Sequence, residues 1–188
     1  MRPLFAAMLL ATLIAPLQSF AAEATVVVVV RHAEKASDDP RDPGLSEDGQ
    51  ARARALAATF AGTRLDAAYT TQFRRTRLTA TPAADTAGIA VQARPISAEN
   101  AATYDADLAA EIRALPAGST VLVVGHSNTV PGLVQAIAGT PVEVAEMPES
   151  EFDRYTVIVL DGDGARVLVG RYGNAQVRSG ADGDAASR

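Results

Sequence analysis

From Val26 to Val30 the chain runs through five valines with no polar residue among them. A stretch this short, β-branched throughout and without alternation, is the pattern of a strand covered on both faces, as in a parallel sheet. Val121 to Val124, within TVLVVGHSN, repeats it. Between these runs the apolar positions shift to a helical period. Ser46 can cap a helix whose Ala53, Leu56, Ala57 and Phe60 share one face, and Gly62 can end it. Asp105 can cap a second, with Leu108, Ile112 and Leu115 in phase ahead of Pro116. Asn128 can cap a third that runs through Leu133, Val134 and Ile137 to Gly139. Short strands from Ala67 to Thr70 and from Val91 to Arg94 complete an alternation of β and α elements, which predicts an α/β domain around a mostly parallel sheet. Near the end, TVIVLDGDGARVLVGR reads as an edge hairpin around a DGDG turn. An EF-hand loop there would need an oxygen ligand at Ala165 and a bidentate acid at Tyr172, so the turn does not read as a calcium site.

The first residues follow a different pattern. Arg2 precedes an apolar run from Leu4 to Ala15, Pro16 and Gln18 end it short of the roughly 20 residues that span a bilayer, and Ser19 and Ala21 are small. Residues 1–21 therefore read as a secretory signal cleaved ahead of Ala22, residues 22–175 as one domain, and residues 176–188, small, polar and aperiodic, as a disordered tail. The expected location is periplasmic or secreted, with no stable membrane anchor. The chain has no cysteine, hence no disulfide and no thiolate metal ligand. Without residues 1–21 it carries 16 basic against 22 acidic side chains, a balance that argues against nucleic acid as a partner.

Chemistry enters with the two histidines of the chain, His32 and His126, each one or two residues beyond an all-apolar run. Parallel strands deliver their C-terminal ends to one edge of a sheet, and ligands bind in the crevice outside that edge. If the two strands are neighbours, both imidazoles reach one crevice. Arg31, directly before His32, adds a fixed positive charge that favours the neutral, nucleophilic imidazole and offers a planar fork of donors for phosphate oxygens. A helix starting after His126 would aim free N–H groups at the same place. These features together describe a phosphate site with a nucleophilic histidine. A His pair with Glu34 could instead hold a metal ion, though Arg31 would repel it.

The residues at this point resemble the histidine phosphatase superfamily, also called phosphoglycerate-mutase-like. Arg31, His32 and Ala33 match its RHG or RHA tripeptide. LSEDGQARA, with Leu45, Ser46 and Gly49, is similar to its L-[ST]-x-x-G segment. YTTQFRRTRLTA is similar to its S-x-x-x-R-x-x-x-T-A segment, with Thr71 at the usual serine and Thr79 and Ala80 at the end, and VVGHSNTV supplies His126. The resemblance implies a three-layer α/β/α fold and a two-step phosphoryl transfer without cofactor or metal. His32 would form a phosphohistidine, while Arg31, Arg75 and a protonated His126 hold the phosphoryl oxygens. Spacing does not choose among Arg74, Arg75 and Arg77; the resemblance selects Arg75. Pro82 is expected to kink this helix or delay its start to near that residue.

Relatives take their general acid either from a glutamate after the third strand or from an aspartate directly after the second histidine. Ser127 occupies the latter position, which disfavours the acid-phosphatase branch and leaves Glu99, in RPISAEN, as the candidate acid. Asp105, which reads as a helix cap, and Glu34, which reads as a residue that orients the loop or contacts substrate, are the alternatives to Glu99 as the acid. Lys35, the only lysine, sits at the pocket rim, where it could meet a second anionic group, and Asn128 beside His126 is a further candidate contact. The expected activity is a metal-independent phosphomonoesterase acting on a phosphorylated small molecule. Its alternatives are a weakly catalytic phosphate-ligand binding protein and a phosphomutase.

Overall fold

The computed structural model describes residues 23–173 except 146 and 163. The expected signal segment and the tail lie outside the described residues. Ten elements follow in the order β1 (Thr25–Arg31), α1 (Glu47–Thr59), β2 (Ala67–Thr70), α2 (Arg74–Ala87), β3 (Val91–Ala93), α3 (Tyr104–Arg113), β4 (Thr120–Gly125), α4 (Val130–Ala138), β5 (Arg154–Asp161) and β6 (Gly164–Arg171). They build a six-stranded sheet in the order β3-β2-β4-β1-β5-β6. The first four positions of that order are parallel, and the β5–β6 hairpin joins β1 antiparallel.

The valine run works as its composition predicts. With side chains alternating across the strand, Val27 and Val29 pack with Ile112, Leu133 and Ile137 of α3 and α4, while Val30 packs on the opposite face with Leu56 of α1 and Ala83 of α2. The result is the three-layer α/β/α arrangement. Each fully buried valine contributes roughly 1.5–3 kcal/mol, so β1 is firmly held on both faces. Its register sets Arg31 opposite Gly125 of β4, and the His32 N–H donates to the Gly125 carbonyl at 2.9 Å. The two histidine-bearing strand ends are therefore immediate neighbours.

Ser46 caps α1 as expected, its hydroxyl accepting from the Gly49 N–H at 3.1 Å. Gly49 has a second reason to be glycine: a Cβ there would stand 2.3 Å from the Glu34 carbonyl oxygen, so only a bare backbone lets α1 approach the turn after His32.

Three local expectations are corrected. The cap position of α3 is Thr103, which places Asp105 inside the first turn, and Leu115 falls beyond the helix end. The cap position of α4 is Thr129, not Asn128: Pro131 sits in the first turn, where its missing N–H costs nothing, and the Thr129 hydroxyl accepts from the His126 N–H at 3.0 Å. Pro82 neither breaks α2 nor delays it, since the helix begins at Arg74. The intrahelical acceptor that Pro82 leaves without a donor is the Leu78 carbonyl, on an exposed residue.

Candidate active site

Beyond the C-terminal ends of β1 and β4 lies an open pocket of about 340 Å³. His32, Arg31 and His126 line it, together with Arg75 from the first turn of α2, and Lys35 and Asn128 at its rim. The imidazole centroids of His32 and His126 are 5.3 Å apart in an edge-on arrangement.

The protonation of His32 follows from its contacts. Nδ1 lies 2.8 Å from the Ala33 carbonyl oxygen, which can only accept, so the ring proton sits on Nδ1 and Nε2 is bare. Burial is the main influence on its pKa and lowers it to about 4. The Ala33 carbonyl partly opposes this, and the charges of Arg75, Arg31 and Lys35 lower it further. At neutral pH the ring is neutral with a free Nε2 lone pair, and burial contributes more to this than the adjacent guanidinium. The loop that carries it is pinned to α2, because Thr79 Oγ1 accepts from the Ala33 N–H at 3.0 Å and donates to the Arg75 carbonyl at 2.7 Å.

His126 is oriented by a chain of hydroxyls. Thr76 donates to the Phe73 carbonyl at 2.8 Å, Thr71 donates to Thr76 at 2.9 Å, and Thr71 Oγ1 thus accepts from His126 Nε2–H at 3.0 Å. This leaves Nδ1 unprotonated, 3.5 Å from Arg75 Nη2. Burial first, then the neighbouring His32 and the arginines, lower its pKa to about 3. The protonated second histidine that the resemblance implies thus belongs to an occupied pocket: in the empty one, too many cations and too little solvent surround the ring for it to hold a proton without an anion.

The two arginines are held differently. Arg75 lies over the Phe73 ring, 4.3 Å from its centroid, and its nearest acid, Asp42, is 3.9 Å away. Arg74 instead pairs with Asp38, and Arg77 is exposed, so Arg75 is the member of the trio that the fold turns into the pocket. Arg31 is buried, and its Nη1 donates to the carbonyls of Pro148, Glu149 and Glu151 at 2.9, 3.1 and 3.2 Å. Its Nη2 meets Glu149 Oε2 at 2.8 Å. Among the described residues, the Nε atoms of Arg31 and Arg75 are both buried without a hydrogen-bond partner.

Two sequence candidates are not brought to the pocket. Glu34 is turned toward α1, where Arg52 grips it through Nε at 2.8 Å and Nη2 at 2.6 Å, so it braces the loop and does not line the pocket. Glu99 is carried away by the turn that begins at Pro95. The Gln72 amide clamps Ile96 at the pocket through two 3.0 Å hydrogen bonds, and Asn100 then closes the segment on itself by accepting from Ser97 N–H and donating to the Pro95 carbonyl. Glu99 is left exposed and does not line the pocket, and hydrogen bonds from Ser97 and the backbone hold its carboxyl below the ordinary range. Among the described residues no three His, Asp or Glu side chains form a metal-binding group.

Sequence reasoning missed Glu149. It lines the pocket, its Oε1 accepting from Ser127 Oγ at 3.1 Å and its Oε2 from Arg31. No spacing signals it, since it stands 118 residues from Arg31 in a loop with neither helical nor strand periodicity.

Comparison with known proteins agrees with this geometry. The family model of the histidine phosphatase superfamily (branch 1) matches residues 27–102. No curated protein sequence matches the chain. Among solved structures, the mycobacterial glucosyl-3-phosphoglycerate phosphatase superposes with a TM-score of 0.59 at 16% identity, covering 81% of this chain and 100% of its own. The protein histidine phosphatase SixA complexed with tungstate gives 0.58 at 21%, covering 78% and 95%. A Nakamurella multipartitia protein named for the phosphohistidine phosphatase SixA gives 0.54 at 26%, covering 81% and 98%.

Proposed function

Because the chain belongs to the histidine phosphatase superfamily, we propose that it is a metal-independent phosphomonoester hydrolase that works through a phosphohistidine on His32. The observation that carries this reading is the bare Nε2 of His32, fixed by the Nδ1–H to Ala33 bond in a pocket lined by Arg31 and Arg75. The phosphoryl group of a substrate would lie between Arg31 and Arg75. The Nε2 lone pair attacks phosphorus opposite the ester oxygen, whose bond breaks as N–P forms. Negative charge arriving beside His126 reverses the cause of its low pKa, so the ring takes up a proton and donates it through Nδ1 to a phosphoryl oxygen. Water then attacks phosphorus and the N–P pair returns to Nε2. The tungstate held by SixA, an analogue of phosphate in shape and charge, supports an oxyanion as the ligand class.

Exhaustively chelated protein should release inorganic phosphate from an aryl phosphate as fast as untreated protein, because arginines occupy the positions around the phosphoryl group. Turnover lost with chelator and restored by zinc or magnesium would instead favour a metal site, and binding of phosphate with no release would favour the ligand-binding reading. We further propose that the enzyme acts outside the cytoplasm, on the strength of the apolar run in residues 1–21. N-terminal sequencing should find Ala22 at the start of exported protein. An intact Met1 on a cytoplasmic product would contradict it.

A further inference from the structure

Ester hydrolysis in this pocket lacks an assigned proton donor. Glu34 is committed to Arg52 and Glu99 stands outside. Among the described residues that line the pocket, the carboxylate is that of Glu149. Its loop is built around Arg31: the guanidinium binds the carbonyls of Pro148, Glu149 and Glu151 and lies over Phe152, 4.3 Å from the ring centroid. The carboxylate is then tied to Ser127, the residue directly after His126. A carboxylate thus reaches the residue beside His126 from a loop 22 residues further along the chain.

Resting on the phosphatase reading above, the geometry points to Glu149 as the group that protonates the departing ester oxygen. In the empty pocket it is ionised, since the hydrogen bond from Ser127 and the charge of Arg31 hold it below the ordinary carboxyl range. A bound phosphoryl group competes for Arg31 Nη2 and sets its own negative charge beside the carboxylate, and both changes raise the proton affinity of Glu149. Its exposed position at the pocket mouth lets solvent deliver that proton. As His32 Nε2 forms the N–P bond and the P–O bond breaks, the Glu149 proton passes to the leaving oxygen. In the second step the carboxylate takes a proton from the water that attacks phosphorus, which restores the starting state.

The test compares wild type, Glu149→Gln and Glu99→Gln on p-nitrophenyl phosphate, whose leaving group needs little protonation, and on glycerol phosphate, whose leaving group needs a proton. Glu149→Gln should raise the ratio of aryl to alkyl turnover about 10²-fold, and Glu99→Gln should leave it unchanged. An unchanged ratio in Glu149→Gln would overturn the assignment. So would faster turnover of both esters through a lower KM, which is the signature of a carboxylate that only competes with phosphate for Arg31. Failure of the wild-type protein to release phosphate from the aryl ester would overturn the phosphatase reading itself, and is seen before any variant is compared.

Discussion

Denaturing the protein rapidly during turnover of an aryl phosphate should trap a phosphoramidate on the peptide containing Arg31 to Lys35, stable in alkali and lost in mild acid. His32→Ala should abolish both the adduct and turnover, a loss of at least about 10⁴-fold, because in the proposed mechanism this residue forms the bond to phosphorus. The fold should survive the substitution. His32 lies past the end of β1, and the valines that anchor the strand, with the His32 backbone bond to Gly125, are untouched. His126→Ala should still form the adduct, at a rate lowered by roughly 10²–10³-fold, the cost of removing one donor to developing charge. The tautomers separate the two roles: His32 presents a bare Nε2 to the pocket, whereas Nε2 of His126 is engaged with Thr71. Label on His126 alone would reverse the assignment, and turnover with no acid-labile adduct would mean direct attack by water.

How much of this site was legible in the sequence depends on how local each determinant is. The two strands were legible because a strand buried on both faces must be apolar at every position, and Val26–Val30 and Val121–Val124 satisfy that without ambiguity. The histidines were legible because they stand at the ends of those strands. Their meeting was only conditional on the strands being neighbours, which the β1–β4 register supplies. Among the three arginines of α2 the periodicity was silent, since all are polar and the choice depends on which side of the helix faces the crevice.

What the sequence obscured is long-range. A glutamate after the third strand looked like a general acid, yet the direction of its side chain is set by Gln72, a residue on another segment, which fixes Ile96 and turns Glu99 outward. Glu149 enters through the buried guanidinium of Arg31, whose Nη1 gathers three carbonyls from one loop. Neither effect leaves a local pattern, because each depends on a partner with no fixed offset along the chain. The resting state of His126 was hidden for a related reason: the sequence displays the cations that a phosphate would need, but not the burial that disfavours the ring's proton until a phosphate arrives.

That burial has a measurable consequence for stability, which should fall steeply as the pH drops from about 6.5 toward 4. Both histidines are buried neutral, with pKa values of about 4 and about 3 against 6.5 for the free side chain. In that interval the unfolded chain binds protons that the folded chain refuses, so the stability of the fold rises with pH. The contribution is fully present above pH 6.5 and is lost as the pH falls toward the folded-state values. For the pair the loss is on the order of 5 kcal/mol, a large part of a typical domain's stability. Only the upper part of the interval, above about pH 5.5, lies clear of ordinary carboxyl titration, so a variant without the two rings is the control for the rest. Urea unfolding at a series of pH values should show the decline in wild-type protein and a much flatter profile in a His32→Gln/His126→Gln variant, which keeps polar side chains but no titrating ring. Saturating inorganic phosphate should also soften the decline, because the bound anion lets His126 keep its proton in the folded state. A wild-type profile that stays level from pH 7 to pH 4.5 would mean that water reaches the two rings in the empty pocket and that burial does not set their proton affinity.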